Sequence, residues 1–173
     1  SGSVPRELQQ KMIINVLTDT SISQATFYYR FYLNRALNYT GNADRYYKEL
    51  KPWRDMIANG LTTFAENPDP TRSDCHAWSA SPNYDYFATI CGIVPSQPGF
   101  AAVTIQPAMG ALHYVKASMP HPNGTIAVEF IKSKNNGVDA TIELPSKVKG
   151  VFIWNGKTFM LHSGFQKIKV ASL

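Results

Sequence analysis

The chain has 173 residues, 44% of them hydrophobic and 12% aromatic, enough to bury a core and to exclude disordered, collagen-like and disulfide-scaffold classes. Its net charge of +5 is uneven: residues 1–98 carry nine basic and nine acidic side chains, and residues 99–173 carry eight lysines against Glu129, Asp139 and Glu143. Those lysines are scattered and accompanied by no arginine, which reads as a solvated face and excludes a phosphate-tracking, nucleic-acid-binding surface.

The opening SGSVPRELQQ lacks the charged start, apolar centre and cleavage site of a secretory signal. No apolar run approaches the roughly 20 residues of a membrane span, so no membrane partner is expected. Leu8, Met12, Val16 and Leu17 then recur on one helical face after Pro5, predicting a first amphipathic helix. Gln24 to Tyr39 is apolar or aromatic nearly all round, as in a helix packed on several sides. From Asn42 the stripe Tyr46, Leu50, Trp53, Ile57 runs to the Asn59-Gly60 stop, with Pro52 forcing a kink or a new first turn. A fourth helix is predicted from Ser81-Pro82 towards Cys91-Gly92.

Beyond Val94–Gly99, rich in proline and glycine, the apolar period changes to two. Ala102–Gln106, Tyr114–Met119, Thr125–Ile131, Val138–Leu144, Val151–Trp154 and Lys167–Val170 are short alternating runs bounded by breakers. Strands at this spacing with no intervening helix predict an antiparallel β-sandwich. The fold class is therefore α+β by segregation, with helices in 1–98 and a sandwich in 99–173. Cys75 and Cys91 lack paired spacing; reduced, buried thiols are expected, with one disulfide as the alternative. The histidines past residue 100 are dispersed, without the spacing of metal ligands, so no metal is expected there.

Side chains with catalytic potential concentrate in Gly60–Pro82, GLTTFAENPDPTRSDCHAWSASP. Glu66 follows a helix stop and precedes Asn67-Pro68-Asp69-Pro70, where proline disfavours helix at the preceding residue. This places a carboxylate on a loop at a helix end. Arg72, Asp74, His76 and Trp78 follow, supplying a cation, an acid, an imidazole and a flat apolar ring. The mixture suits a sugar, whose hydroxyls take polar partners while its C–H face stacks on a ring. The bland alternatives are a solvated Glu66, an Arg72–Asp74 pair that only fixes the loop, a structural His76 and a core Trp78.

The motifs WRDMIANGLTTFAE, SDCHAWSASPNYDYF and GIVPSQPGFAAVTIQPAMGALHYVKASMPHPNGTIAVEF closely resemble the C-terminal end of bacterial α-L-rhamnosidases of the inverting type. The resemblance runs from about Gln24 to the end and rests on Thr62-Thr63-x-x-Glu66, His76-Ala77-Trp78 and Pro98-Gly99-Phe100. It implies the last helices of an (α/α)6 toroid in 1–98 followed by a C-terminal sandwich in 99–173. It also implies Glu66 as the general base and His76 as a residue lining the rhamnose pocket, and the implied hydrolysis requires no metal or organic cofactor; Trp78, Arg72 and Asp74 are expected as further substrate contacts from the residue mixture itself. The family's general acid lies upstream of every residue in the chain, and four helices cannot close a ring of twelve. The implied partners are a rhamnose-containing glycan or glycoside and the missing N-terminal part of the toroid, with self-association of the exposed helices. A periplasmic or extracellular location is what the resemblance implies. The rival reading is a non-catalytic carbohydrate-binding or structural sandwich, which exposed aromatics on one sheet face would favour; Tyr114, Phe130, Phe152, Trp154, Phe159 and Phe165 are the candidates.

Overall fold

The computed structural model describes residues 3–68 and 70–171; Asp69 of the Asn-Pro-Asp-Pro run lies outside the described residues. Helices come first and strands second, so the chain is α+β by segregation. It divides between Tyr84 and Asp85 into two compact units.

The first unit begins with α1 (Arg6–Thr18) and α2 (Phe27–Thr40). Pro5 occupies the N-cap of α1, and Gly41 ends α2 in the left-handed conformation at φ 75°. A single-turn segment α3 (Tyr46–Glu49) precedes α4 (Lys51–Ala58). Pro52 therefore starts a helix instead of kinking one, because its missing N–H is harmless in a first turn. The core is made by Phe27, Leu37, Tyr46, Leu50, Trp53 and Met56. The Phe27 and Trp53 rings lie 5.2 Å apart. Trp53 also donates its indole N–H to the carbonyl of Ser79 at 2.7 Å, tying the helical core to the segment after the Gly60–His76 loop.

Two helices depart from the sequence expectation. In α1 the buried side chain is Ile13, while Leu8, Met12 and Val16 stay exposed. The contacts that turn the helix this way are polar: Gln10 donates to the carbonyl of Thr40 and accepts from the amide of Asn42. In α2 only Phe27, Asn34, Leu37 and Thr40 are buried, and Tyr28, Tyr29, Tyr32 and Tyr39 are exposed. An apolar groove of about 610 Å³, lined by Met12, Ile13, Val16, Tyr32, Ala36 and Tyr39 among others, runs between the two helices.

The first unit ends in α5 (Ser81–Asp85), whose last residue begins the second unit, and a π-turn over Tyr86–Ile90 follows. Strands β1 (Ile93–Pro95), β2 (Ala102–Ile105), β6 (Lys149–Trp154) and β7 (Lys157–Leu161) form one sheet in the order β1-β2-β6-β7. Strands β3 (Tyr114–His121), β4 (Gly124–Lys132), β5 (Val138–Leu144) and β8 (Gly164–Val170) form the other in the order β3-β4-β5-β8. Phe130 of β4 stacks on Phe152 of β6 at 5.8 Å and 20°, joining the sheets face to face. Ile126, Val128, Ile142, Leu144, Ile105 and Val103 complete a dry interior.

All six strand-like runs are strands, and β1 and β7 are additional. The β6–β7 turn is Asn155-Gly156, both at positive φ, the two-residue hairpin signal that marks β7 in the sequence. One pairing corrects the antiparallel expectation: β2 and β6 run parallel, with Ala102 opposite Lys149 and Ile105 opposite Phe152. Three strands of the other sheet intervene between them, so the chain returns to the first sheet in its original direction. Among the described residues beyond Phe100 there is no helix. The thiols also differ from expectation: Cys75 is exposed and free, while Cys91 is buried and free, its pKa pushed up to about 11 by desolvation.

Gly92 makes the passage from the π-turn into β1. It sits at φ +68°, and a Cβ there would lie 2.0 Å from the backbone of Gln106, whose N–H donates to the Gly92 carbonyl. Gly92→Ala therefore combines a left-handed backbone with a backbone clash, and is expected to lower stability by more than about 2 kcal/mol. A urea midpoint within error of wild type would contradict this close approach.

Candidate functional site

The loop between α4 and α5 is laced into a narrow, hairpin-like excursion. Glu66 N–H donates to the Ser73 carbonyl at 2.8 Å, and His76 N–H to the Phe64 carbonyl at 2.7 Å. The Thr71 hydroxyl accepts from Asn67 N–H at 3.4 Å and donates to the Ser73 carbonyl at 3.0 Å, and Thr63 donates to the Asp74 carbonyl. Threonine and serine serve here because a short hydroxyl reaches nearby backbone groups that no ladder satisfies. The Pro68 and Pro70 breakers turn the tip, and the two arms are left side by side.

This lacing buries the Glu66 carboxylate, which is 2% exposed. Arg72, opposite on the returning arm, donates from Nε to Oε2 at 2.6 Å and from Nη2 to Oε1 at 2.5 Å. The pair is thus a two-pronged fork, with the guanidinium on the solvent side and its side chain 80% exposed. Arg72 hydrogen bonding holds the Glu66 carboxyl below the usual carboxylate range; burial opposes this, and the charges of Arg72 and His76 assist it. Arg72 is correspondingly raised by its bonds to Glu66.

His76 and Trp78 stand beside the carboxylate. His76 is the extended N-cap of a 3-10 turn, Ala77–Ala80, that displays Trp78. The two rings lie 4.1 Å apart, and the Trp78 indole N–H donates to the Glu66 carbonyl at 3.3 Å. Tyr28, at the start of α2, tilts against Trp78 at 5.4 Å. Trp78 remains 40% exposed, so it forms an open apolar wall and not a core residue.

Glu66, Arg72, His76 and Trp78 are therefore one cluster, and the cation pairs with Glu66 where the sequence suggested Asp74. Asp74 is placed differently. With Asp55, Asn59, Asn67, Thr71 and Phe27 it lines a separate cavity of about 460 Å³. Asp55 is engaged there by Lys51 at 2.7 Å. Sequence reasoning missed Tyr28 and the bracing hydroxyls of Thr63 and Thr71; the aromatic run at the start of α2 was the available signal for Tyr28. His121 is structural: its Nδ1 accepts from Asn123 N–H at 3.1 Å, so Nε2 carries the proton given to the Phe100 carbonyl at 2.9 Å. Among the described residues, no three His, Cys, Asp or Glu side chains are grouped to hold a metal.

Residues 92–158 match the family model of the bacterial alpha-L-rhamnosidase C-terminal domain. The solved α-L-rhamnosidase of Aspergillus terreus is similar over 95% of the chain at 17% identity, with a TM-score of 0.83. That of Streptomyces avermitilis, complexed with L-rhamnose, is similar over 99% at 19% identity and a TM-score of 0.81. A GH78-family rhamnosidase of Bacillus sp. GL1 is similar over 83% at 24% identity and a TM-score of 0.72. No curated protein sequence matches. The chain spans about a fifth of those solved chains, covering 21%, 20% and 17% of their lengths. The resemblance to the C-terminal part of bacterial α-L-rhamnosidases is thus shared by sequence motif, family model and fold.

The fork gives a pH dependence with a definite sign. Because the folded pKa of Glu66 is depressed, the pair stabilises the fold above the ordinary carboxylate pKa, and this contribution is lost as pH falls through the depressed value. Arg72→Met removes the hydrogen bonds that depress it and leaves burial acting on the carboxylate. The stability gap between wild type and Arg72→Met should be widest near neutrality and narrow on acidification. Urea midpoints measured from about pH 7 to about pH 3 would show this; a gap constant with pH would mean the fork is absent in solution.

Proposed function

We propose that the chain is the C-terminal part of an α-L-rhamnosidase, and that the complete enzyme removes terminal α-L-rhamnose from a glycan or glycoside with inversion. On this reading the helices before β1 are the last of an (α/α)6 toroid, and the two sheets from β1 onward are its C-terminal sandwich, so the sandwich begins a few residues before the expected boundary at residue 99. The observation that carries it is the buried carboxylate of Glu66, flanked by an imidazole and an open indole face and carried by the motif Thr62-Thr63-x-x-Glu66.

Glu66 is the general base that takes a proton from the attacking water. In the present arrangement both its oxygens are engaged by Arg72, so Arg72 must release one of them for water to be bound there. The exposed guanidinium on a solvent-side loop can do so without disturbing the helical core. His76 and Trp78 line the sugar: the imidazole takes a hydroxyl and the indole stacks on the C–H face of the ring. Arg72 and Asp74 are further substrate contacts, Asp74 from the neighbouring cavity. Inversion needs a protonated acid across the bond, with the two carboxyl groups about 6.5–9.5 Å apart to admit water. That acid is supplied by the N-terminal part of the toroid, for which the groove between α1 and α2 is the packing surface. On this reading neither nucleic acid nor membrane is a partner, and the resemblance favours a periplasmic or extracellular site of action.

In the complete enzyme, Glu66→Gln should lower turnover of p-nitrophenyl α-L-rhamnoside by about 10²-fold or more while leaving rhamnose binding nearly intact, since the amide keeps the shape but cannot take the proton. His76→Ala should instead raise KM, because it removes a ligand contact. Retention of more than a tenth of wild-type turnover by Glu66→Gln would end the assignment. The chain alone should hydrolyse nothing, and its exposed helical groove should drive association into dimers or larger species, seen by light scattering. A monomer at high concentration would remove the argument that this groove is a packing surface.

A further inference from the structure

The six aromatic residues of the strand region divide sharply. Phe130, Phe152 and Trp154 are buried, Phe159 is half-buried, and Tyr114 and Phe165 are 53% and 62% exposed. Those two exposed rings lie on the same outer face of the β3-β4-β5-β8 sheet. The register shows this directly. Facing residues form rows that cross the sheet from β4 through β5 to β8: Ala127, Glu143, Phe165; then Glu129, Thr141, Lys167; then Ile131, Asp139, Lys169. Strand β3 adds Ser118, Lys116 and Tyr114 to the three rows in that order.

Side chains of unequal height line this face. Ser118 and Ala127 are small, while Phe165, Glu143, Lys116 and Glu129 rise around them. The result is a trough of about 450 Å³ lined by Lys116, Ser118, Ala127, Glu129, Thr141, Glu143 and Phe165. Its walls are held in place. Lys116 pairs with Glu129 at 3.2 Å, the Tyr114 hydroxyl donates to Glu129 at 3.4 Å, and the Lys167 ammonium lies 5.7 Å from the centre of the Phe165 ring.

We propose that this trough is a binding site for a neutral oligosaccharide, separate from the Glu66 cluster and independent of the catalytic reading. The charge on the face selects the ligand class. Lys116, Lys167 and Lys169 are balanced by Glu129, Glu143 and Asp139, so the face has no net field to attract a polyanion or an anionic membrane. In these three rows the apolar outward residues are Ala127, Ile131 and the two rings, too few for the core of a protein interface. What remains is a mixture of donors and acceptors with Phe165 lining the trough and Tyr114 farther along the same face, which is the pattern a polyhydroxylated chain of sugar rings requires. Strand spacing and rise place Phe165 and Tyr114 about 20 Å apart on the diagonal, so the ligand is a chain of several sugars with a terminal ring on each aromatic. Glu143, Thr141 and Lys116 meet its hydroxyls between them.

The chain itself can be tested by affinity electrophoresis and titration calorimetry with galactomannan, arabinoxylan, xyloglucan and mixed-linkage glucan, with polygalacturonate as the anionic comparison. Binding of at least one neutral glycan is expected, and Phe165→Ala and Glu143→Gln should each weaken it about tenfold, as expected for loss of a well-placed contact. Met160→Ala, on the other sheet, should leave it unchanged. Both substituted trough residues are at the surface, and unchanged circular dichroism would confirm that the fold survives. Binding of no neutral glycan, binding of polygalacturonate alone, or binding that persists in Phe165→Ala with Tyr114→Ala would overturn the proposal. In the complete enzyme, Phe165→Ala should not alter hydrolysis of p-nitrophenyl α-L-rhamnoside, so this site and the catalytic reading stand or fall separately.

Discussion

A carboxylate removed from water must find its charge a partner, and in the first unit that requirement organises everything near Glu66. An ionised group withdrawn from water is costly unless it is paired and hydrogen-bonded. The pairing comes from Arg72, which the chain can deliver only because two prolines turn the loop and three hydroxyl side chains brace its arms. The same bracing brings His76 N–H to the Phe64 carbonyl, and so positions the imidazole and indole that follow. The cluster is less a set of four independent residues than one fork with two rings hung from its returning arm.

That arrangement also separates two surfaces on one loop. Glu66, Arg72, His76 and Trp78 belong to one cluster, while Ala65, Asn67, Thr71 and Asp74 line a cavity shared with Phe27 and α4. The loop thus acts as a partition. Whatever occupies the cavity would press on the arm that carries Glu66, without touching the carboxylate itself.

Much of this was legible in the residues. The change of apolar period after Val94 marked the six alternating runs, each of which is a strand with its inward side chains buried or half-buried, while the short β1 at Ile93–Pro95 escaped it. The parallel β2–β6 pair was not legible, since local alternation carries no information on which distant strand lies alongside. The rotation of α1 about its axis was equally hidden: its Leu8, Met12, Val16 stripe is a good helical face, yet Gln10 and Asn42 made the contacts that orient it. At the site, residue types and motif marked Glu66, His76 and Trp78, whereas the partner of Arg72 depended on how the arms align, which spacing alone does not determine.

The parallel pairing of β2 and β6 bears on how the second unit assembles. Strands β3, β4 and β5 join through neighbouring hairpins, so their contacts close short loops and can form early. The first sheet cannot acquire its centre until Val103 meets Gly150 across the whole of that excursion. The meeting is sterically exacting, because a Cβ on Gly150 would fall 2.0 Å from the Val103 carbonyl oxygen. Contacts so distant in sequence slow folding, and until they form, the apolar inner faces of β2 and β6 are uncovered. During synthesis the β3-β4-β5 meander therefore has to hold the inner face of its own sheet ready, as a template against which the late strand β6 docks and through which β2 is finally enclosed.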